Sequence, residues 1–289
     1  MNIVVCIKQV PDLDELIAIE KGEIIFQNQV SREVVNPLDL LALEEALRIK
    51  ERDEKSRVTL VSLGRATSEE SLRKGLAMGA DVANLLCDPG FENGDSYTTA
   101  LALARHISTI PYDLVLCGRV SDDTQAGLVG AYIAGILGLP VIQGVIGLDI
   151  EGRELIVQRK LERGNREVLK CPLPALLTVE AGLNTPRHLT VPGIFKTRKK
   201  EIATCDAKTL GFSSDEVGQN GSKIRIIHVS PPKPKMKGLI IPDSRLSPAE
   251  RLKLIASGGL ESRKSNMLEG EHGKVAAQLV QFFKQNKIL

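Results

Sequence analysis

Apolar positions along the chain come in two alternating patterns. Short unbroken apolar runs, "NIVVCIKQV" (2–10), "SRVTLVSLG" (56–64), "VANLLC" (82–87) and "DLVLCG" (113–118), read as strands buried on both faces. Between them lie longer segments with apolar residues on one helical face. "NPLDLLALEEALRIKER" (36–52) sets Leu40, Leu41, Leu43, Leu47 and Ile49 at helical spacing, with Asn36 as N-cap and Pro37 at the first position. "TSEESLRKGLAMGA" (67–80) predicts a second helix, capped by Thr67 with Glu70 completing a capping box. "DSYTTALALARHIST" (95–109) and "TQAGLVGAYIAGILG" (124–138) predict two more, and "ELIAIEKGEIIFQ" (15–27) a hairpin turning at Lys21-Gly22. Strand and helix in alternation predict an α/β fold: a doubly wound, mostly parallel, Rossmann-like sheet. Such sheets bind ligands beyond the carboxyl ends of their strands. Three loops leave such ends: 6–11, 62–67 and 118–125.

From Val141 the pattern changes. Residues 141–182 contain several short strands with glycine turns, expected as antiparallel additions to the same sheet. Residues 183–204 read as a loop with two prolines and a basic tail. "SSDEVGQNGSK" (213–223) reads as a linker, "IRIIHV" (224–229) as a strand and "PPKPKMKG" (231–238) as a spacer. "SPAERLKLIAS" (247–257) and "GEHGKVAAQLVQFFKQNK" (270–287) are helical. The expected division is a nucleotide-binding α/β domain over 1–204 and a linker, arm and docking helix over 205–289. The uncharged run 127–148 is long enough for a bilayer, but Pro140 and Gln143 interrupt it. It reads as a buried helix ending near Gly138 and a buried strand from Val141.

Composition narrows the function. The net charge is +2 and Trp is absent, which speaks against nucleic-acid binding. Cys6, Cys87, Cys117, Cys171 and Cys205 form no CxxC pair and read as reduced thiols. The four histidines show no metal-ligand spacing. The N-terminus opens on a strand without a basic leader, so the expected compartment is the cytoplasm, with no direct membrane insertion.

The chemistry concentrates in "GRVSDDTQAGLVG" (118–130), a strand-to-helix junction. Two readings stand side by side. In one, Asp122 and Asp123 cap the following helix. In the other the loop cradles a phosphate, using free amides of the helix start, Thr124 and Gln125 as hydrogen-bonding groups, and glycines for close approach. "SGGLES" (257–262) is similar to the phosphate loop of ATP-pyrophosphatases. It follows a helix near the C-terminus and has Glu261 in place of aspartate, so it reads more simply as a helix stop.

Several stretches together resemble the electron transfer flavoprotein beta subunit family: "VVCIKQVPD" (4–12), "NPLDLLALEEALRIKE" (36–51), "SLRKGLAMGAD" (71–81), "LERGNREVLKCPLPALLTVEAGLNTPR" (161–187) and "TVPGIFKTRKKEI" (190–202). The resemblance covers residues 1–204. Arg163 departs from the signature, and the 118–130 loop combines pieces of the AMP-binding and the FAD-binding versions. The resemblance implies a nucleotide site formed by Cys6, Asn36, Pro37, Leu38, Asp39, Leu63, Arg119, Val120, Ser121, Asp122, Asp123, Thr124, Gln125, Ala126, Gly127, Leu128, Val129 and Gly130. It implies a docking loop, 183–192, with Leu183, Val191 and Pro192 meeting dehydrogenases such as acyl-CoA dehydrogenases. It also implies an alpha-subunit partner, an FAD shared with that partner, and either AMP or a second FAD in this chain. The second FAD belongs to an electron-bifurcating subunit that takes electrons from NADH. A stand-alone adenine-nucleotide sensor is the alternative from another class. No acid–base catalysis is expected in the carrier role.

Overall fold

Each of the four apolar runs of the first half contributes a strand to one sheet. The computed structural model describes residues 1–12, 17–20, 23–26, 32–227, 246–256, 270 and 272–285. In chain order these comprise β1 (Asn2–Cys6), β2 (Gln9–Pro11), β3 (Ile17–Glu20), β4 (Glu23–Phe26), β5 (Glu33–Val35), α1 (Pro37–Arg52), β6 (Arg57–Leu63), α2 (Glu69–Met78), β7 (Val82–Leu86), α3 (Ser96–Ile107), β8 (Leu114–Gly118) and α4 (Val129–Leu137). There follow β9 (Val141–Glu151), β10 (Glu154–Lys160), β11 (Arg166–Pro172), β12 (Ala175–Val179), α5 (Val191–Thr197), β13 (Ala203–Cys205), α6 (Gly218–Gly221), α7 (Pro248–Ala256) and α8 (His272–Gln285).

Nine strands form one sheet in the order β11-β10-β9-β12-β8-β1-β6-β7-β13. Seven run parallel, and β10 and β11 extend the β9 edge as antiparallel strands. Side chains alternate faces along each strand. Ile3 and Val5 of β1 join Leu114 and Leu116 of β8 in one core, beneath α1 and α2. Val4 and Cys6 join Val115 and Cys117 in the other, against Leu103 and Ile107 of α3 and Ile133 of α4. Helices therefore cover both faces, and the winding reverses between β1 and β8. That reversal is the topological switch point where open α/β sheets bind ligands.

The structure corrects several expectations. The first strand stops at Cys6, and Gln9–Pro11 pair with β5 in a separate two-stranded sheet. The hairpin β3–β4 forms, with Lys21-Gly22 outside the described residues. Thr67 does not cap α2: the cap position is Ser68, without a side-chain bond, and Thr67 Oγ1 instead meets Gln9 Oε1 at 3.3 Å. β12 is parallel to both β8 and β9, not antiparallel. Its burial is continuous on both faces, as a central parallel strand requires. Residues 191–197 are helix rather than loop, started by Pro192 and capped by Thr190, whose side chain accepts from Gly193 N at 3.2 Å. Ile224–Ile227 form no strand, while residues 228–229 lie outside the described residues. The expected boundary at Gly138 is present: it is left-handed (φ +67°), and β9 begins three residues on.

The chain packs as two compact units, Met1–Pro231 and Pro232–Leu289. In the second unit the described elements are α7 and α8. Leu279, Val280 and Phe282 of α8 are exposed. "SGGLES" lies outside the described residues. All five cysteines are free thiols. Among the described residues no helix is long and apolar enough to cross a membrane.

Candidate functional site

A cavity of about 1190 Å³ opens beyond the carboxyl ends of β1, β6 and β8. Its near wall is built by residues anticipated from sequence: Cys6, Asn36, Asp39, Leu63, Arg119, Val120, Ser121, Thr124, Ala126, Gly127, Leu128, Val129 and Gly130. Pro37, Leu38, Asp122, Asp123 and Gln125 stand behind this lining. Pro37 opens α1, and Leu38 packs on the core with its Cβ close beneath Gly118.

Asp39 organises the wall. Its carboxylate accepts the amide of Lys8, just after β1, and the amide of Gly118, at the end of β8, both at 2.8 Å. One buried side chain thus ties two strand ends to the first turn of α1. Burial pushes its pKa up to about 6, against the lowering effect of those amides and of Asn36 and Lys8.

Asn36 has the backbone position of an N-cap but makes no side-chain cap bond. Its amide reaches the loop instead: Nδ2 donates to Val120 O at 3.0 Å and Oδ1 accepts from Asp122 N at 3.2 Å. Asp123 pairs with Lys8 at 2.5 Å and accepts its neighbour's amide, Thr124 N, at 2.8 Å. Burial opposes ionisation of Asp123, yet the bonds from Lys8 and Ser121 hold its carboxyl below the ordinary value.

Neither aspartate caps the next helix. α4 starts at Val129, five residues later than the sequence predicts, because the intervening backbone turns at Gln125 (φ +50°) and Gly127 (φ +65°). Its cap position is Leu128, with no side-chain bond. The first-turn amides of α4 are therefore free of any capping side chain and sit on the cavity wall. That arrangement suits an anionic oxygen.

The floor is a pair of thiols. Cys6 and Cys117 end adjacent parallel strands on the same face. Burial pushes Cys6 up to about 12 and Cys117 well above its ordinary value, so both stay protonated. Neither thiol is an activated nucleophile. Among the described residues no group of three His, Cys, Asp or Glu side chains is placed to hold a metal ion.

The far wall was not read from sequence. It comprises Phe91, Asn93, Gly94, Asp95, Ser96 and Thr99 at the start of α3, with Gln219, Asn220, Ser222, Ile224, Arg225 and Ile226. "NGDSYTT" (93–99) does follow a strand end and carries a capping aspartate, a signal for a fourth loop. Residues 219–223 read from sequence as linker and 224–226 as the start of a strand, and neither reading points to the cavity. Tertiary hydrogen bonds place this segment.

Comparison with known proteins decides the family. Residues 24–210 match the electron transfer flavoprotein domain. An electron transfer flavoprotein subunit beta of Thermoanaerobacterium thermosaccharolyticum is 40% identical over 241 residues, spanning 83% of this chain and 92% of that protein. The chain belongs to the electron transfer flavoprotein beta subunit family. The subunit beta of Megasphaera elsdenii is 34% identical over 248 residues, covering 83% and 91% of the two chains. The caffeyl-CoA reductase-Etf complex subunit CarD of Acetobacterium woodii is 37% identical over 243 residues, covering 83% and 92%.

In this family member the expected docking segment is fastened to α1. Arg187 Nε meets Glu44 at 2.8 Å and its Nη1 meets Glu51 at 2.6 Å, while Asn184 Nδ2 donates to Leu41 O and to Glu45, each at 3.0 Å. Glu44 is buried; burial opposes its ionisation, but Arg187 and Arg48 hold its pKa below the ordinary value. Leu183 packs against the core, while Val191, Ile194 and Phe195 project from α5 with 65%, 46% and 67% exposure. Arg187→Met leaves the buried Glu44 carboxylate with only the longer contact to Arg48 Nε, at 3.4 Å. It is expected to cost about 2 kcal/mol, less than for a fully buried pair because the guanidinium is partly solvated. Urea unfolding midpoints at constant slope check this.

Proposed function

We propose that this chain holds an adenine nucleotide in the β1/β8 cavity and serves as the beta subunit of a heterodimeric electron carrier. The observation that carries this reading is the uncapped start of α4 facing a cavity at the switch point, under a loop pinned by Asp39 and Asn36. The residues present fit such a ligand: free helix-start amides for phosphate, and apolar Leu63, Ile7 and Leu128 with the two neutral thiols beside them.

In this reading an alpha subunit completes the heterodimer and holds most of an FAD, to which this chain lends one wall. That flavin supplies the electron storage. This chain positions and shields, without acid–base chemistry. The exposed apolar tip around Val191 and Pro192, in the segment that Leu183 opens, is the surface offered to flavin-containing dehydrogenases such as acyl-CoA dehydrogenases. An acceptor oxidoreductase takes the electrons onward. The compartment proposed is the cytoplasm.

A second reading places FAD rather than AMP in the cavity and makes the chain a bifurcating subunit supplied by NADH. The size of the space favours it, since about 1190 Å³ exceeds the ordinary range for small-ligand sites of roughly 300–1,000 Å³.

One experiment separates these. The chain is co-expressed with its alpha partner and purified, the complex is denatured, and released FAD and AMP are counted per heterodimer. One FAD with one AMP supports the carrier, and two FAD without AMP support bifurcation. No nucleotide beyond the shared FAD contradicts both. A monomer that is stable and nucleotide-bound without a partner supports the stand-alone sensor instead.

A further inference from the structure

We propose that residues Gln219–Ile226 form a strap that closes the far side of the nucleotide cavity, latched by Asp95, with Arg225 supplying the cation for the ligand's phosphate. The proposal rests on the adenine-nucleotide reading above and extends it to a segment about ninety residues beyond the phosphate loop.

The base of the strap lies backbone against backbone on the turn before α3. A Cβ at Gly218 (φ +59°) would collide with Gly90 O, and one at Gly94 would stand 3.3 Å from Gly218 Cα. The latch is a single carboxylate used on both oxygens. Asp95 Oδ1 accepts Tyr97 N and Thr98 N, each at 3.0 Å, which caps α3. Oδ2 accepts Lys223 N at 2.6 Å and Ile224 N at 3.0 Å, which holds the strap. Asp95 N in turn donates to Ser222 Oγ at 3.0 Å, and that hydroxyl donates to Gly218 O at 2.8 Å. Burial disfavours the charged carboxyl, but the amides of Thr98, Lys223 and Ile224 hold it below the ordinary range, so the latch is ionised at neutral pH.

Past the latch, Ile224 and Ile226 border the cavity with 61% and 78% exposure, apolar surface that a seated ligand would cover. Charge points the same way. Among the described residues three cationic side chains border the cavity. Lys8 is neutralised by Asp123 and Arg119 by Glu180, each at 2.5 Å. Arg225 makes no ion pair among the described residues. It is the cation left over for a phosphorylated ligand.

The test uses the full-length chain with its alpha partner and three probes: adenosine, AMP and FAD. Asp95→Asn is the informative variant. Asparagine keeps one oxygen to cap α3 but turns an NH2 group toward the Lys223 and Ile224 amides. It is expected to speed release of bound AMP or FAD about tenfold, the loss of a charge-assisted hydrogen bond. Ser222→Ala leaves the cap intact and is expected to speed release about threefold; it decides the matter where Asp95→Asn does not fold. Arg225→Gln is expected to weaken AMP and FAD about tenfold while adenosine changes less than about twofold, because adenosine has no phosphate. Unchanged release in Asp95→Asn and Ser222→Ala would overturn the latch. Equal weakening of adenosine and AMP by Arg225→Gln would overturn the phosphate role. A wild-type complex that binds none of the probes overturns the nucleotide reading itself, and the strap's role with it.

Discussion

Asp39→Ala is expected to lower the stability of the Met1–Pro231 unit by about 3 kcal/mol and to abolish nucleotide retention. The aspartate is 6% exposed and receives two backbone amides from different strand ends. Alanine leaves both donors without that acceptor at a buried junction and opens a void beside Gly118. The pH dependence adds a sharper signature. Burial raises the folded-state pKa to about 6 from an ordinary 3.8. Between those values the folded chain holds a proton that the unfolded chain has released. Stability from this group therefore falls as pH rises through the window, and the penalty of burying the charge is fully present at pH 7. The alanine variant lacks this dependence. Its deficit relative to wild type should be larger at pH 5 than at pH 7, by roughly 1 kcal/mol. Urea unfolding at the two pH values checks it, and an equal or smaller deficit at pH 5 would show that Asp39 is not desolvated in the folded chain.

Gly118→Val is expected to cost about 3 kcal/mol, and Gly118→Ala about 2 kcal/mol. A Cβ at this position would press on Asp39 Oδ1 and stand 2.9 Å from Leu38 Cβ and 3.1 Å from Asn36 Nδ2. None of these can yield freely. The carboxylate is held by two amides, Asn36 is bonded to Val120 and Asp122, and Leu38 sits in the first turn of α1. The strain falls on the contacts that aim the 119–130 loop, so nucleotide retention should fall with stability. Substitution at Gly135, where an added Cβ meets nothing within 4 Å, is the control and should cost little.

The sheet was legible because its central strands are covered on both faces, which leaves runs such as "VVC" and "LVLC" with no polar position. The break between α4 and β9 was legible because glycine and proline stand together at 138–140. The orientation of β12 was missed although its residues carry the signal: Ala175–Val179 are apolar or small throughout, while β10 and β11 alternate buried and exposed positions. Five residues give that signal little weight against the alternating strands before them.

At the candidate site, the near wall was readable as a loop after a strand. The start of α4 was not, because Thr124, Gln125 and Ala126 tolerate a helix and only the positive φ at Gln125 and Gly127 prevents one. Asn36 reads locally as a cap, yet bonds to residues more than eighty positions away. The strap is the extreme case. Its place is set by Asp95 and by close glycine packing, both tertiary, while its own apolar positions, Ile224 and Ile226, read locally as a strand that does not form.

The central claim is that the β1/β8 cavity holds an adenine nucleotide against the start of α4. Photolabelling the purified heterodimer with 8-azido-AMP, followed by peptide mapping, tests it directly. The account predicts label on peptides containing Cys6–Gln9 or Gly118–Gly130, displaced by excess AMP or FAD and absent from Gly118→Val. Displaceable label confined to peptides outside the cavity lining would contradict it.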